Sequence, residues 1–250
     1  MVRFSSTNLY SIEREARRLR EMGLKEGRHF AVKMPEEGCD GYVRILKEGL
    51  ARAARLSVRG KDEQQRRLAA DFVKYILERA GEAGKEVSEK AQKIIEEGMS
   101  RGSLTLKGFV REVEVNGEKY KVKVIDGEAV EEDRGGRKLL RIKITAEVGG
   151  VRRDYTITYG RYNKNAAKGF AVERAEADAE RHSALVEALT GKRPRVYRMK
   201  DGRIRIECYE GHLEGFMRYD ELADAIEEWL EETDQRATPT GCNRPSWSPA

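Results

Sequence analysis

The sequence predicts an α+β fold: a mostly helical N-terminal part, an antiparallel sheet of β-hairpins, a helix–strand–strand–helix unit and a disordered tail. Three observations carry that expectation. Apolar residues recur at helical spacing through most of the first 100 positions. At Gly102 the period changes from about 3.6 to two. Two glycine-bearing dipeptides then interrupt period-two segments whose pairing is self-consistent.

Taken in order, residues 9–22 ("LYSIEREARRLREM") set Leu9, Ile12, Ala16 and Leu19 on one helical face. "GRHFAVKMPEEG" reads as a short extended piece broken by Pro35 and Gly38. Residues 41–57 read as helix through Val43, Leu46, Leu50 and Ala53. Two more helices fit 62–80 (Leu68, Phe72, Ile76) and 85–98 (Val87, Ala91, Ile94, Ile95). Residues 1–101 are therefore expected to form one mostly helical region.

"REVEV-NG-EKYKVKV" is a hairpin turning at Asn116-Gly117. That turn sets Val113 opposite Tyr120, and Glu114 and Glu112 opposite Lys119 and Lys121, so unlike charges face each other. In "LLRIKITAEV-GG-VRRDYTITY", a turn at Gly149-Gly150 sets Ile144 against Tyr155, Ile142 against Ile157 and Leu140 against Tyr159. One apolar face on each hairpin implies a sheet covered on one side. Residues 171–190 then read as a helix carrying Val172, Ala175, Ala179, His182, Val186 and Leu189, stopped by Gly191. A hairpin follows with Asp201-Gly202 at its turn, and then a helix over 213–232 that buries Leu213, Phe216, Met217, Ala223, Ile226, Trp229 and Leu230. Residues 102–235 form the second expected domain. Residues 236–250, rich in proline and without periodicity, are expected to be a disordered tail.

With 250 residues the chain can bury the core of one or two domains. Its 37% charged residues, of both signs, resemble the composition of proteins from hot environments. The net charge of +5 is uneven, with +4 over residues 1–100, +6 over 101–170 and −5 over 171–250. Such an excess permits contact with nucleic acid without requiring it. Cys39, Cys208 and Cys242 form no spaced framework, which argues against a disulfide scaffold. No apolar run approaches membrane-spanning length and no apolar signal core opens the chain. The expectation is a cytoplasmic protein with no membrane partner.

Two basic surfaces are candidates for binding DNA or RNA. "RPRVYRMKDGRIRIE" supplies Arg193, Arg195, Arg198, Lys200, Arg203 and Arg205 for phosphates and Tyr197 for stacking. Its plain structural alternative is that these arginines pair with Asp220, Glu221, Asp224, Glu227 and Glu228 of the following helix. The outer face of the middle sheet supplies Arg141, Lys143, Arg152 and Arg153, with Arg161, Lys164 and Lys168 just beyond and Asp154 and Glu147 as the nearby acids.

Reaction chemistry has less support. Cys208 and His212 share no helical face and lack a second ligand pair, so no metal site is expected. His182 on an apolar stripe reads as a core histidine, and His29 stands alone. "GEAGKE" and "GGRK" lack the glycine spacing and strand-to-helix setting of phosphate loops. No nucleophile has a histidine and an acid recognisably placed, so neither a catalytic residue nor a cofactor is implied.

Three stretches carry a family resemblance: "RGSLTLKGFVREVEVNGEKYKVKV", "KLLRIKITAEVGGVRRDYTITYGR" and "EADAERHSALVEALTGKRPRVYRMKDGRIRIECYEGHLEGFMRYDELADAIEEWLEE". With "GRHFAVKMPEEGCDGYVRILKEGL" they resemble the paralogous repeat proteins of Pyrobaculum aerophilum and its relatives, the PaRep type two-b proteins. The resemblance implies a hyperthermophilic archaeal source and no established activity. The helix–strand–strand–helix of residues 173–232 is also similar in architecture to half of a LAGLIDADG homing endonuclease. No helix here ends in that family's small-residue pattern followed by Asp-Gly or Glu-Gly, so its Mg²⁺-binding acid has no counterpart.

The reading carried forward is a non-catalytic nucleic-acid-binding module, for which a mobile-element relic is one origin. A protein–protein interaction module is the alternative, and a degenerate LAGLIDADG-type endonuclease is the third.

Overall fold

Left-handed backbone at Asn116, Gly117, Gly149 and Gly150 lets two tight turns close, and around them the largest sheet of the protein is built. The structure is a computed structural model that describes residues 3–162 and 166–233. The expected tail therefore lies outside the described residues. The chain divides into two compact units, one over residues up to 99 and one from 100 to the end of the described chain.

The first unit runs β1 (Arg3–Ser6), α1 (Leu9–Glu21), β2 (Phe30–Lys33), β3 (Gly41–Ile45), α2 (Lys47–Arg59), α3 (Glu63–Glu82) and α4 (Lys85–Ser100). Its antiparallel sheet has the order β1-β3-β2. Residues 41–45, expected to open a helix, are instead the central strand. Val43 and Ile45 point into the core at a spacing of two, and hydrogen bonding on both edges overrides the longer-range helical spacing. On α3 the buried stripe is Ala69, Val73, Ile76 and Ala80, and Leu68 is exposed. Of the three residues expected to mark this face, Ile76 is in the core, Phe72 is partly buried against it and only Leu68 lies outside. Leu9 and Val87 are likewise exposed, while Ile12, Ala16, Leu19, Ala91 and Ile95 are buried.

The second unit holds β4 (Val110–Val115), β5 (Glu118–Asp133), β6 (Lys138–Val148), β7 (Val151–Tyr162), β8 (Ala166–Glu173), α5 (Glu176–Thr190), β9 (Arg195–Arg198), β10 (Ile204–Tyr209), α6 (Glu210–Phe216) and α7 (Asp220–Thr233). One antiparallel sheet orders these strands β4-β5-β6-β7-β8-β10-β9. Both expected hairpin registers are present, with Val113 opposite Tyr120 and Ile142 opposite Ile157. β5 runs on past a bulge between Val124 and Asp126 and pairs with β6 from Val122 to Asp133. Residues 171–173, expected in a helix, end β8, so the helix starts only at Glu176. It does stop at Gly191, whose φ of 70° suits glycine.

The helix α5 is buried around most of its circumference, through Ala179, His182–Val186 and Ala188–Thr190. A helix covered on that many sides lies inside its unit rather than on it, and the seven-stranded sheet curls about it. The expected 213–232 helix is two helices. Residues 217–219 between them are taken up by the chain entering the sheet: Gly102 N–H donates to the Met217 carbonyl (2.8 Å), Leu104 N–H to that of Arg218 (2.9 Å), and Asp220 N–H to that of Leu104 (2.9 Å). The side chains expected to be buried are so, with Trp229 fully covered and its indole N–H donating to the Lys138 carbonyl (3.1 Å).

Candidate nucleic-acid interface

Alternation along β10 sorts the basic hairpin onto two faces. Ile204, Ile206 and Cys208 are buried, so Arg205, Glu207 and Tyr209 face outward. Directly paired residues on neighbouring strands share a face. Tyr197, opposite Arg205, and Arg195, opposite Glu207, therefore also face outward. On the other side of β10, Val172, Phe170 and Lys168 of β8 continue the same surface. Arg198 and Val196, opposite Ile204 and Ile206, lie on the α5 side.

Rings and cations alternate across this outer surface. The Arg205 guanidinium lies 4.9 Å from the Phe170 ring centroid, and Phe170 meets Tyr162 edge-on at 5.4 Å. Arg195 and Lys168 lie 5.2 and 5.5 Å from the Tyr209 ring. The acid among them, Glu207, is engaged: it accepts from the Tyr209 hydroxyl (2.7 Å) and approaches the Lys168 ammonium at 3.4 Å. Partial desolvation and the hydrogen bond to Glu207 raise the Tyr209 pKa, keeping its phenol protonated. Among the described residues no carboxylate pairs with Arg195 or Arg205, and the shielded Arg205 Nε has no hydrogen-bond partner.

The chain matches the family model described as PaRep2b protein over residues 6–234. It belongs to that family. No curated protein and no solved structure matches it. None of these comparisons supports the likeness to LAGLIDADG endonucleases, and in this PaRep2b chain β9 and β10 complete one seven-stranded sheet.

The remaining candidate residues of the PaRep2b chain are held elsewhere. Arg193 bridges two elements, donating to Glu187 (3.0 Å) and to the Glu114 carbonyl (2.6 Å). Arg198 pairs with Glu176 at 3.3 Å. Arg203 grips Asp201 through two nitrogens at 2.8 and 2.6 Å, and these bonds hold the Asp201 carboxyl below its usual range. Lys200 is exposed in the turn. The alternative in which these arginines neutralise the last helix is therefore corrected: their carboxylates come from α5 and from their own turn. The acids of α7 have other partners. Glu221 accepts from the Leu106 and Lys107 backbone N–H groups, Glu227 pairs with Arg101 (3.3 Å) and Glu232 with Lys138.

The middle of the sheet is more nearly neutral than its sequence suggests. Arg141 pairs with Glu132 at 2.9 Å and Lys143 with Asp154 at 2.8 Å, while Glu128 sits across from Lys143. Those β5 acids come from the extension past the bulge, which the period-two reading did not anticipate. Arg152 is exposed opposite Glu147. Arg161 turns to the other face, 5.1 Å from the Trp229 ring, and Arg153 pairs with Glu173 and Asp178, each at 2.9 Å. Lys164 lies outside the described residues.

The three histidines have structural partners. His182 Nδ1 lies 2.9 Å from the buried Glu173, and His29 and His212 accept backbone N–H groups from Lys25 (2.9 Å) and Tyr209 (3.0 Å). A cleft of about 320 Å³ opens where the edge strands β4 and β9 both approach α5, lined by Val115, Asn116, Glu180, Ser183, Val196 and Arg198 among others. No helix among the described residues is long and apolar enough to cross a membrane.

Proposed function

We propose that this chain is a nucleic-acid-binding module whose interface is the outer face of β8, β10 and β9. The observation that supports it most directly is the pair Arg195 and Arg205. They lie on one solvent-facing surface with Lys168 and four aromatic rings, and no carboxylate neutralises them. Unpaired guanidinium groups bind phosphate oxygens and release the counterions that screen them.

The test is a fluorescence-anisotropy titration of labelled oligonucleotide at about 50 and about 200 mM salt. Binding should weaken as salt rises, and removing both charges (Arg195→Gln with Arg205→Gln) should lower the logarithmic salt slope by about two. Arg203→Gln and Arg141→Gln remove cations already paired with Asp201 and Glu132, so they should leave the slope nearly unchanged. An unaltered slope in the double variant, or no binding by the parent, rejects the reading.

A protein partner is the second reading, favoured by the cleft between the edge strands β4 and β9. An unpaired strand edge can accept a further strand from another chain. Val196, on the α5 side of β9 and lining that cleft, separates the two. Val196→Asp should spare nucleic-acid binding by the outer face and disrupt strand addition.

A further inference from the structure

Building on the nucleic-acid reading, we infer that the ligand of this face is a single strand whose bases stack on its rings. The rings come from four adjacent strands: Tyr197 on β9, Tyr209 on β10, Phe170 on β8 and Tyr162 on β7. Tyr197 and Tyr162, from the two outer strands of the four, are 41% and 42% exposed. Phosphate contact alone needs no such rings. Exposed aromatic surface on a sheet gains from covering by another flat apolar face, and a base is such a face.

Duplex fits this surface poorly for two reasons. Stacked base pairs keep their faces against each other, so no ring on the protein can reach them. The surface is also too broad. Four strands span three inter-strand spacings, roughly 14 Å between the outer axes, and the duplex major groove, about 12 Å wide, admits only a two-stranded ribbon. A single strand has neither limit. Laid across β9, β10, β8 and β7, it meets a ring on each strand, with the cations Arg205, Arg195 and Lys168 held against the two inner rings, Phe170 and Tyr209, at 4.9–5.5 Å where the backbone passes. Cations placed in that way strengthen both contacts, one to phosphate and one through the ring face.

The experiment compares oligo(dT), oligo(U) and a hairpin duplex of matched length in the same anisotropy assay with the full chain. At least one single strand should bind about tenfold or more tightly than the duplex, since each stacked base contributes about 1–3 kcal/mol. Tight binding of either oligomer supports the inference, and the tighter of the two names DNA or RNA as the source. Tyr197→Ala should weaken that binding by about tenfold without altering the salt slope, and Tyr197→Phe, which keeps the ring, should bind as the parent does. Equal affinity for duplex with no effect of Tyr197→Ala overturns the single-strand inference and leaves the phosphate-binding function standing. No binding to any of the three overturns both.

Discussion

Glu173 shows how one buried acid is kept charged. Burial pushes its pKa up, but the hydrogen bonds from His182 and Arg153 outweigh that, and the net shift is downward. Its folded value thus lies below the roughly 4.3 of an unfolded glutamate. The stability it contributes is full above the unfolded value and is lost as pH falls through the folded one. Replacing it by Gln should lower the melting temperature most near neutral pH, and the gap to the parent should shrink below about pH 4. A gap that stays constant from neutral to acid conditions would mean the carboxyl is already neutral in the native protein. Neither its burial nor its partners can be read from the sequence, because the stretch containing Glu173 looks helical there and the strand that carries it ends three residues before the real helix.

Close backbone approach decides the fate of some glycines. A Cβ on Gly98 of α4 would lie 2.2 Å from the Ala51 carbonyl oxygen of α2, whereas one on Gly81 of α3 would meet nothing within 4 Å. Alanine in an open helical site gains about 0.8–1 kcal/mol over glycine. Overpacking costs about 1–3 kcal/mol. Gly81→Ala should therefore raise the urea midpoint and Gly98→Ala lower it, and a higher midpoint for Gly98→Ala would show that the two helices part easily. The same physics of local contact explains which elements sequence reading recovers. The hairpins at Asn116-Gly117 and Gly149-Gly150 are recovered with their registers, because turn geometry and cross-strand charge act within a few residues. β3 is not, because five residues of period two are outweighed by apolar positions continuing into α2 at helical spacing. The break between α6 and α7 is also invisible. Their apolar positions run on continuously, and the cause is the distant segment at Gly102–Leu104. The candidate interface is half visible for the same reason: Arg195, Tyr197 and Arg205 are marked by composition. Lys168 and Phe170 join them only through pairing of β8 with β10.

The core of the second unit should behave as one guarded interior. Cys208 is fully buried within it, and burial pushes its thiol up to about 12. Alkylation requires the thiolate, so the native protein should leave Cys208 unmodified by iodoacetamide at mildly alkaline pH. Peptide mapping should find it labelled only where denaturant unfolds the sheet and α5 together. Prompt labelling in native buffer would show that this unit opens locally, without global unfolding.

The edge strand β9 also bears on how copies of this chain meet in solution. Its four exposed residues read Arg-Val-Tyr-Arg, a charge palindrome, and its outer edge has no strand partner among the described residues. Two such edges docking antiparallel about a two-fold axis would gather Arg195 and Arg198 of both copies, four like charges, along one short ladder. Like charges gathered so closely repel, so the strand carries its own bar against edge-to-edge association. Screening by salt relaxes that bar, and the tendency of the protein to self-associate should rise with ionic strength, opposite in sign to its affinity for a polyanion.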